Sequence, residues 1–121
     1  MQVNLHSNQG NQFSSYSANS VTINQVEYQA NLLVSNQEVE NLTLNSIDEF
    51  NQTELDRLLA MEPDIIIFGT GTTIKYPKAE LLLQLQKKRI GFEVMPIAAL
   101  CRTFNYLVGE GRKVIGLIIF N

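Results

Sequence analysis

The chain has 121 residues, 45% of them hydrophobic, and a formal net charge of −3. That length suits one domain with one core, and the acidic balance argues against a nucleic-acid binder. No apolar run approaches the roughly 18 residues of a membrane span, and residues 1–20 carry no Lys or Arg, so no signal or transit peptide is expected and the reading is cytoplasmic.

Taken in order, residues 12–17 suit a first strand. Val21 and Ile23, then Val26 and Tyr28, alternate at period two on either side of Asn24-Gln25. That predicts a hairpin with a two-residue turn, since Asn tolerates positive φ. Leu32, Leu33 and Val34 extend the apolar pattern, and residues 39–44 alternate again. The N-terminal part therefore reads as an antiparallel meander, and an exposed strand edge in it would suit a homodimer. Its ten Asn and seven Gln within the first 52 residues fall in short strands and turns. Residues 53–61 suit a helix capped by Thr53 or Asn51, with Leu55, Leu58 and Leu59 as its apolar stripe. The β-branched run 65–68 has the composition of a strand buried on both faces. A second helix opens at Pro77 and runs through about Arg89, with Gly91 ending it. Residues 92–95 form a strand, Pro96 starts a third helix to about Val108, and residues 114–120 form a last strand.

From residue 64 the order is strand, helix, strand, helix, strand. Helical crossovers join parallel neighbours. The expected fold is α/β: a single domain over 1–121, with flexibility expected at 1–19. It is a three-layer β+β/α sandwich with a mixed central sheet, a βαβαβ C-terminal half and an N-terminal antiparallel meander. The helices are placed on one face of the sheet and the meander elsewhere.

Ligands in such sheets bind beyond the carboxyl ends of the strands. The loop Gly69, Thr70, Gly71, Thr72, Thr73 lies there, with two glycines for close backbone approach and amides and hydroxyls for an anion or a polar tip. On the third helix Arg102 and Asn105 share a face, with Thr103 between them. Helical side chains lean towards the N-terminus, so Arg102 should point back at the glycine loop. These eight residues form the candidate ligand or partner site. A purely structural role is the competing reading, with Arg102 paired to an acid and Asn105 bonded to a turn carbonyl. Residues 1–56 hold seven acids and no Lys or Arg, while residues 57–121 hold nine bases and five acids. The C-terminal half, with Lys75, Arg102 and Arg112, is thus the more suitable acceptor of an anion. Glu110 and Arg112 belong to the opposite end of the third helix, as a helix stop or a second partner surface.

The usual catalytic sets are missing. The loop lacks the third glycine of a dinucleotide fingerprint, and no Gly-Lys-Ser/Thr occurs. Cys101 falls on the apolar stripe of the third helix, and buried apolar cysteines are usually inert. As the only cysteine it excludes an internal disulfide. His6, the only histidine, has no partner for a catalytic triad or a metal set. No catalytic residue, metal site or cofactor is assigned.

Pro63-Asp64, the strand ending in Phe68-Gly69-Thr70-Gly71, Tyr76-Pro77, Val94-Met95, Cys101-Arg102-Thr103-Phe104-Asn105-Tyr106-Leu107 and Glu110-Gly111-Arg112 occur in this order. The set resembles the Mth938-like domain family over about residues 20–121. The family has no established function, and its members include mitochondrial complex I assembly factor 3 and the adipogenesis-associated Mth938-domain protein. The resemblance implies a three-layer β+β/α fold, no established catalytic activity and, in the mitochondrial relative, assembly through protein contacts. The family often has an acid after the Met at 95, where this chain has Pro96, and Ala-Cys or Ala-Ala where it has Leu100-Cys101. Residues and resemblance together favour a non-enzymatic binding or assembly module for a protein partner or small anion. The alternative is an enzyme of unassigned reaction on a small anionic substrate.

Overall fold

The computed structural model describes residues 10–120, so His6 lies outside the described residues. Eight strands and three α-helices follow one another: β1 (Phe13–Tyr16), β2 (Val21–Ile23), β3 (Val26–Tyr28), β4 (Leu32–Val34), β5 (Val39–Asn41), α1 (Gln52–Ala60), β6 (Ile65–Thr70), α2 (Ala79–Lys87), β7 (Gly91–Met95), α3 (Ile97–Gly109) and β8 (Val114–Ile119). A 3-10 turn at Ile47–Glu49, which the sequence did not announce, precedes α1.

The β2–β3 hairpin turns where expected. Asn24 and Gln25 both adopt positive φ, 50° and 73°, as a type I′ turn requires. The meander, however, divides between two sheets. Strands β1, β2 and β3 form an antiparallel three-stranded sheet, while β4 and β5 join a five-stranded sheet of order β5-β4-β8-β6-β7. The reason lies in burial. In β2 only Val21 and Ile23 are fully buried, whereas Leu32, Leu33 and Val34 are all buried. A strand apolar on both faces needs cover on both faces, so β4 takes an interior place beside β8. The outer strands of the small sheet are β1 and β3, and α3 packs against β1.

Within the large sheet β6 runs parallel to both β7 and β8, as the strand–helix alternation predicts. The helices do not share one face. The chain steps from β6 outward to β7, then back across β6 to β8. Right-handed crossovers in opposite directions put α2 and α3 on opposite sides. Leu55, Leu58, Leu81 and Leu85 of α1 and α2 pack with Ile66, Phe68, Ile115 and Leu117 on one face. Leu100 and Phe104 of α3 pack with Ile67 and Ile118 on the other, joined by Phe13, Val21 and Ile23 of the small sheet. Edge-to-face ring pairs occur in both cores, Phe13 with Phe104 at 5.2 Å and Phe50 with Phe68 at 5.4 Å. The three layers are thus α1 and α2, the large sheet, and α3 with the small sheet.

Helix ends follow local chemistry. Asn51 caps α1, its side chain accepting from the amides of Thr53 and Glu54. Pro77 is buried two residues before α2 begins. That helix ends at Lys87, and the residue that closes it at positive φ is Arg89 rather than Gly91. Arg89 takes φ 60°, its amide bonds to Gln86, and the Ile90 amide bonds to Leu85, which completes a Schellman end with a non-glycine residue. Gly91 instead opens β7.

The approach of α3 to the sheet is set by two glycines on one face of adjacent strands. A Cβ on Gly69 would lie 2.7 Å from Leu100 Cδ1, and one on Gly116 would lie 3.5 Å from both Leu100 and Phe104. Leu100 is fully buried, so its side chain has no free direction in which to yield. Gly69→Ala should destabilise the fold by about 1–3 kcal/mol through overpacking, read as a lower urea midpoint at unchanged slope. An unchanged midpoint would show that the helix rides over the sheet without this contact.

Candidate functional site

The connections after β6 and β7 leave adjacent parallel strands towards opposite faces, which opens a crevice at their carboxyl ends. The two connections are stitched together. The Gly71 carbonyl accepts from the Ile97 amide at 3.1 Å, and the Gly71 amide donates to the Ile119 carbonyl at 2.8 Å. Gly71 holds φ 45°, which suits a residue without a Cβ.

The candidate loop residues separate into two groups. Gly69 lies in β6 beneath α3, paired with Met95 and Ile118. Thr70 is buried, and its hydroxyl donates to the Thr73 carbonyl at 2.8 Å while accepting from the Lys75 amide at 3.0 Å. These bonds brace the loop and occupy the Thr70 hydroxyl and the Gly71 and Lys75 amides. Gly71 and Thr72 face the crevice, and Thr72 and Thr73 are exposed.

On α3, Asn105 is bound to backbone rather than open to the crevice. Its Oδ1 accepts from the Phe13 amide and its Nδ2 donates to the Phe13 carbonyl, both at 2.8 Å. The side-chain amide therefore meets β1 as a neighbouring strand would. Arg102 is exposed and turns towards β1, not towards the glycine loop. It makes a long 3.5 Å hydrogen bond to the Tyr16 hydroxyl and no ion pair among the described residues. Thr103 is half-buried on the flank of α3.

Tyr16 joins the two halves of the site. A cleft of about 330 Å³ is lined by Tyr16, Ser17, Ala18, Gly71, Thr72, Pro96, Ile97 and Ala98. A shallower depression of about 130 Å³, lined by Phe13, Ser14, Ser15, Tyr16, Cys101, Arg102 and Asn105, adjoins it through the same tyrosine. Arg102 stands one helical turn beyond Ala98 and lines the depression rather than the cleft. Sequence reasoning missed Tyr16, because a lone aromatic at the end of a short polar strand has no periodicity or motif to mark it.

Glu110 and Arg112 lie at the other end of α3, as expected. Gly111 has φ 83°, its amide bonds to Val108, and the Arg112 amide bonds to Leu107: a Schellman end built on glycine. Asp64 ties this turn to the start of β6. Its Oδ2 accepts from the Lys113 amide at 2.8 Å and lies 4.0 Å from Arg112 Nε. A hydrogen bond to Glu110 raises the Tyr106 phenol above its ordinary pKa. A larger cleft of about 440 Å³ opens at this end, with Glu38 and Lys113 in its lining.

Cys101 is buried, and burial pushes its thiol up to about 12, with Arg102 offsetting part of the shift. Among the described residues no group of three His, Cys, Asp or Glu is placed to hold a metal ion, and no helix is long and apolar enough to cross a membrane.

A family model described as "Protein of unknown function (DUF498/DUF598)" matches residues 13–119. A Xanthomonas campestris protein solved by NMR superposes with a TM-score of 0.83 at 27% identity, over 91% of this chain and 84% of its own. A Bordetella pertussis protein described as a Mth938-like domain gives 0.74 at 19% identity, over 90% and 85%. The "13 kDa major membrane protein" of Francisella tularensis subsp. holarctica is 34% identical over 63% of this chain and 62% of its own length. NADH dehydrogenase (ubiquinone) 1 alpha subcomplex assembly factor 3 of Danio rerio is 34% identical over 51% of this chain and 36% of its own length. The matches thus leave more than a third of each of these two relatives uncovered.

Two substitutions separate the roles on α3. Asn105→Ala should cost about 2 kcal/mol, one net hydrogen bond to each Phe13 backbone group, and remove exchange protection from the Phe13 amide. Arg102→Ala should stay within about 0.5 kcal/mol of the parent, as expected for an exposed side chain without an ion pair. A loss of several kcal/mol on Arg102→Ala would instead make it a structural anchor. The folded state keeps the Cys101 proton that an unfolded thiol gives up near its ordinary 9.0. Stability should therefore fall as pH rises from about 9 towards 12, and Cys101→Ala should flatten that decline in urea melts.

Proposed function

We propose, from the premise that the chain belongs to the family described as protein of unknown function (DUF498/DUF598), that it is a non-enzymatic binding module of the assembly-factor kind. Its cleft at the carboxyl ends of β6 and β7 takes an anionic group, carried on a protein partner's tail or as a small anion. The observation that carries this reading is Arg102, an exposed guanidinium in the depression that adjoins the cleft through Tyr16, with no ion pair among the described residues. A guanidinium offers a carboxylate or phosphate two parallel hydrogen bonds. The Tyr16 hydroxyl stands beside it. Pro96, Ile97 and Ala98 supply an apolar floor for the rest of a tail. Recognition suits this cleft better than reaction, because the adjoining thiol of Cys101 is buried and held protonated.

The name of the zebrafish relative supports an assembly role made through protein contacts. The name of the Francisella relative places that protein at a membrane. A cytoplasmic module that touches a membrane surface without spanning it accommodates both names.

Titration of labelled protein with acetate, inorganic phosphate and a short acidic peptide is the test. Amide shifts should concentrate at Gly71, Thr72, Ala98 and Arg102, and Arg102→Gln should weaken the response at least about tenfold. No shift at millimolar concentration of any of the three would overturn the reading.

A further inference from the structure

We propose that the loop between β6 and α2 is a docking tip for an anionic phospholipid surface. The five residues from Thr72 to Tyr76 are all exposed. Two of them are large and apolar, with Ile74 at 49% and Tyr76 at 65% relative exposure. The loop is braced rather than slack. Thr70 bonds both the Thr73 carbonyl and the Lys75 amide, and Pro77 is buried just beyond. The bracing holds Ile74 and Tyr76 away from the core, so their exposure belongs to the fold.

Within the loop the charges have one sign. Residues 65–79 contain Lys75 and Lys78 and no acid. The first acid beyond the loop is Glu80, in the first turn of α2. An aliphatic and a phenol, with one lysine between them and another just beyond, match the boundary between headgroups and acyl chains. The apolar parts enter, the tyrosine hydroxyl stays at the interface, and the ammonium groups reach anionic headgroups. A lipid surface is favoured over an acidic protein because the tip is an exposed loop, and a bilayer needs no complementary pocket to receive it. Neither Ile74 nor Tyr76 lines the cleft, so this contact stands apart from the anion reading above.

The chain has no tryptophan, so Tyr76→Trp in the full chain reports on the tip alone. With vesicles of equal phosphatidylglycerol and phosphatidylcholine at low salt, the protein should sediment with the lipid and its emission should shift to the blue. Pure phosphatidylcholine or 0.5 M salt should abolish both effects. Lys75→Gln with Lys78→Gln should lower partitioning about thirtyfold, and Ile74→Ser about tenfold. The proposal fails if the anionic vesicles do not bind, if emission stays unshifted on sedimentation, or if Ile74→Ser partitions like the parent. An emission response to a polyglutamate peptide but not to vesicles would assign the tip to an acidic protein instead. Arg102→Gln tests the cleft separately, so either reading can fall while the other stands.

Discussion

The structure depends on how closely α3 can approach the large sheet. Gly69 and Gly116 remove side chains from the face that the helix crosses, and Leu100 fills the space they leave. That contact fixes the height and direction of the helix, and the other features follow. Ile97 comes within reach of the Gly71 carbonyl, which joins the two strand-to-helix connections. Phe104 comes to rest against Phe13, which seats the small sheet. Arg102 is left on the outer face, beside Tyr16. A glycine that resembles part of a ligand loop is therefore first a packing device, and the cleft is a consequence of that packing.

Asparagine side chains splice the layers together where backbone ladders stop. Asn105 bonds both backbone groups of Phe13. Asn36 donates to the Arg112 carbonyl and accepts from the Val114 amide, which extends the edge of β8. Asn31 links the Leu44 carbonyl to the Phe120 amide, and Asn11 reaches the carbonyls of Ser35 and Glu38. A primary amide carries the same donor and acceptor as a peptide group, so it can stand in for one residue of an absent strand. The richness in asparagine of the N-terminal part is thus partly a set of splints, since short strands leave many backbone groups to be satisfied in other ways.

The parts legible in the sequence were those governed by local chemistry. Period-two alternation located β2 and β3, Asn24-Gln25 located their turn, and the β-branched run located β6. The Leu100, Cys101 and Phe104 stripe gave the buried face of α3. What was not legible was decided across the chain. The three-residue run Leu32, Leu33, Val34 is as short as an edge strand, and only its pairing with β8 shows why all three residues are buried. The sides of α2 and α3 depend on strand order, which no residue pattern records. Within the candidate site, the position of Arg102 on α3 was readable from helical spacing. Its turn towards Tyr16 was not, because β1 is placed by Asn105, 92 residues away.

That separation has a consequence for how the protein is made. On a ribosome β1 appears long before the amide that holds it, and β4 waits for β8, its neighbour in the finished sheet. The hairpins can form early, but neither sheet can settle until α3 and β8 have emerged. Such distant pairing slows folding and lengthens the exposure of unpaired edges. The waiting segment has a built-in safeguard, since residues 1–56 carry seven acids and no Lys or Arg. Nascent chains of one sign repel one another, so the uneven charge of the sequence also keeps neighbouring unfinished copies apart.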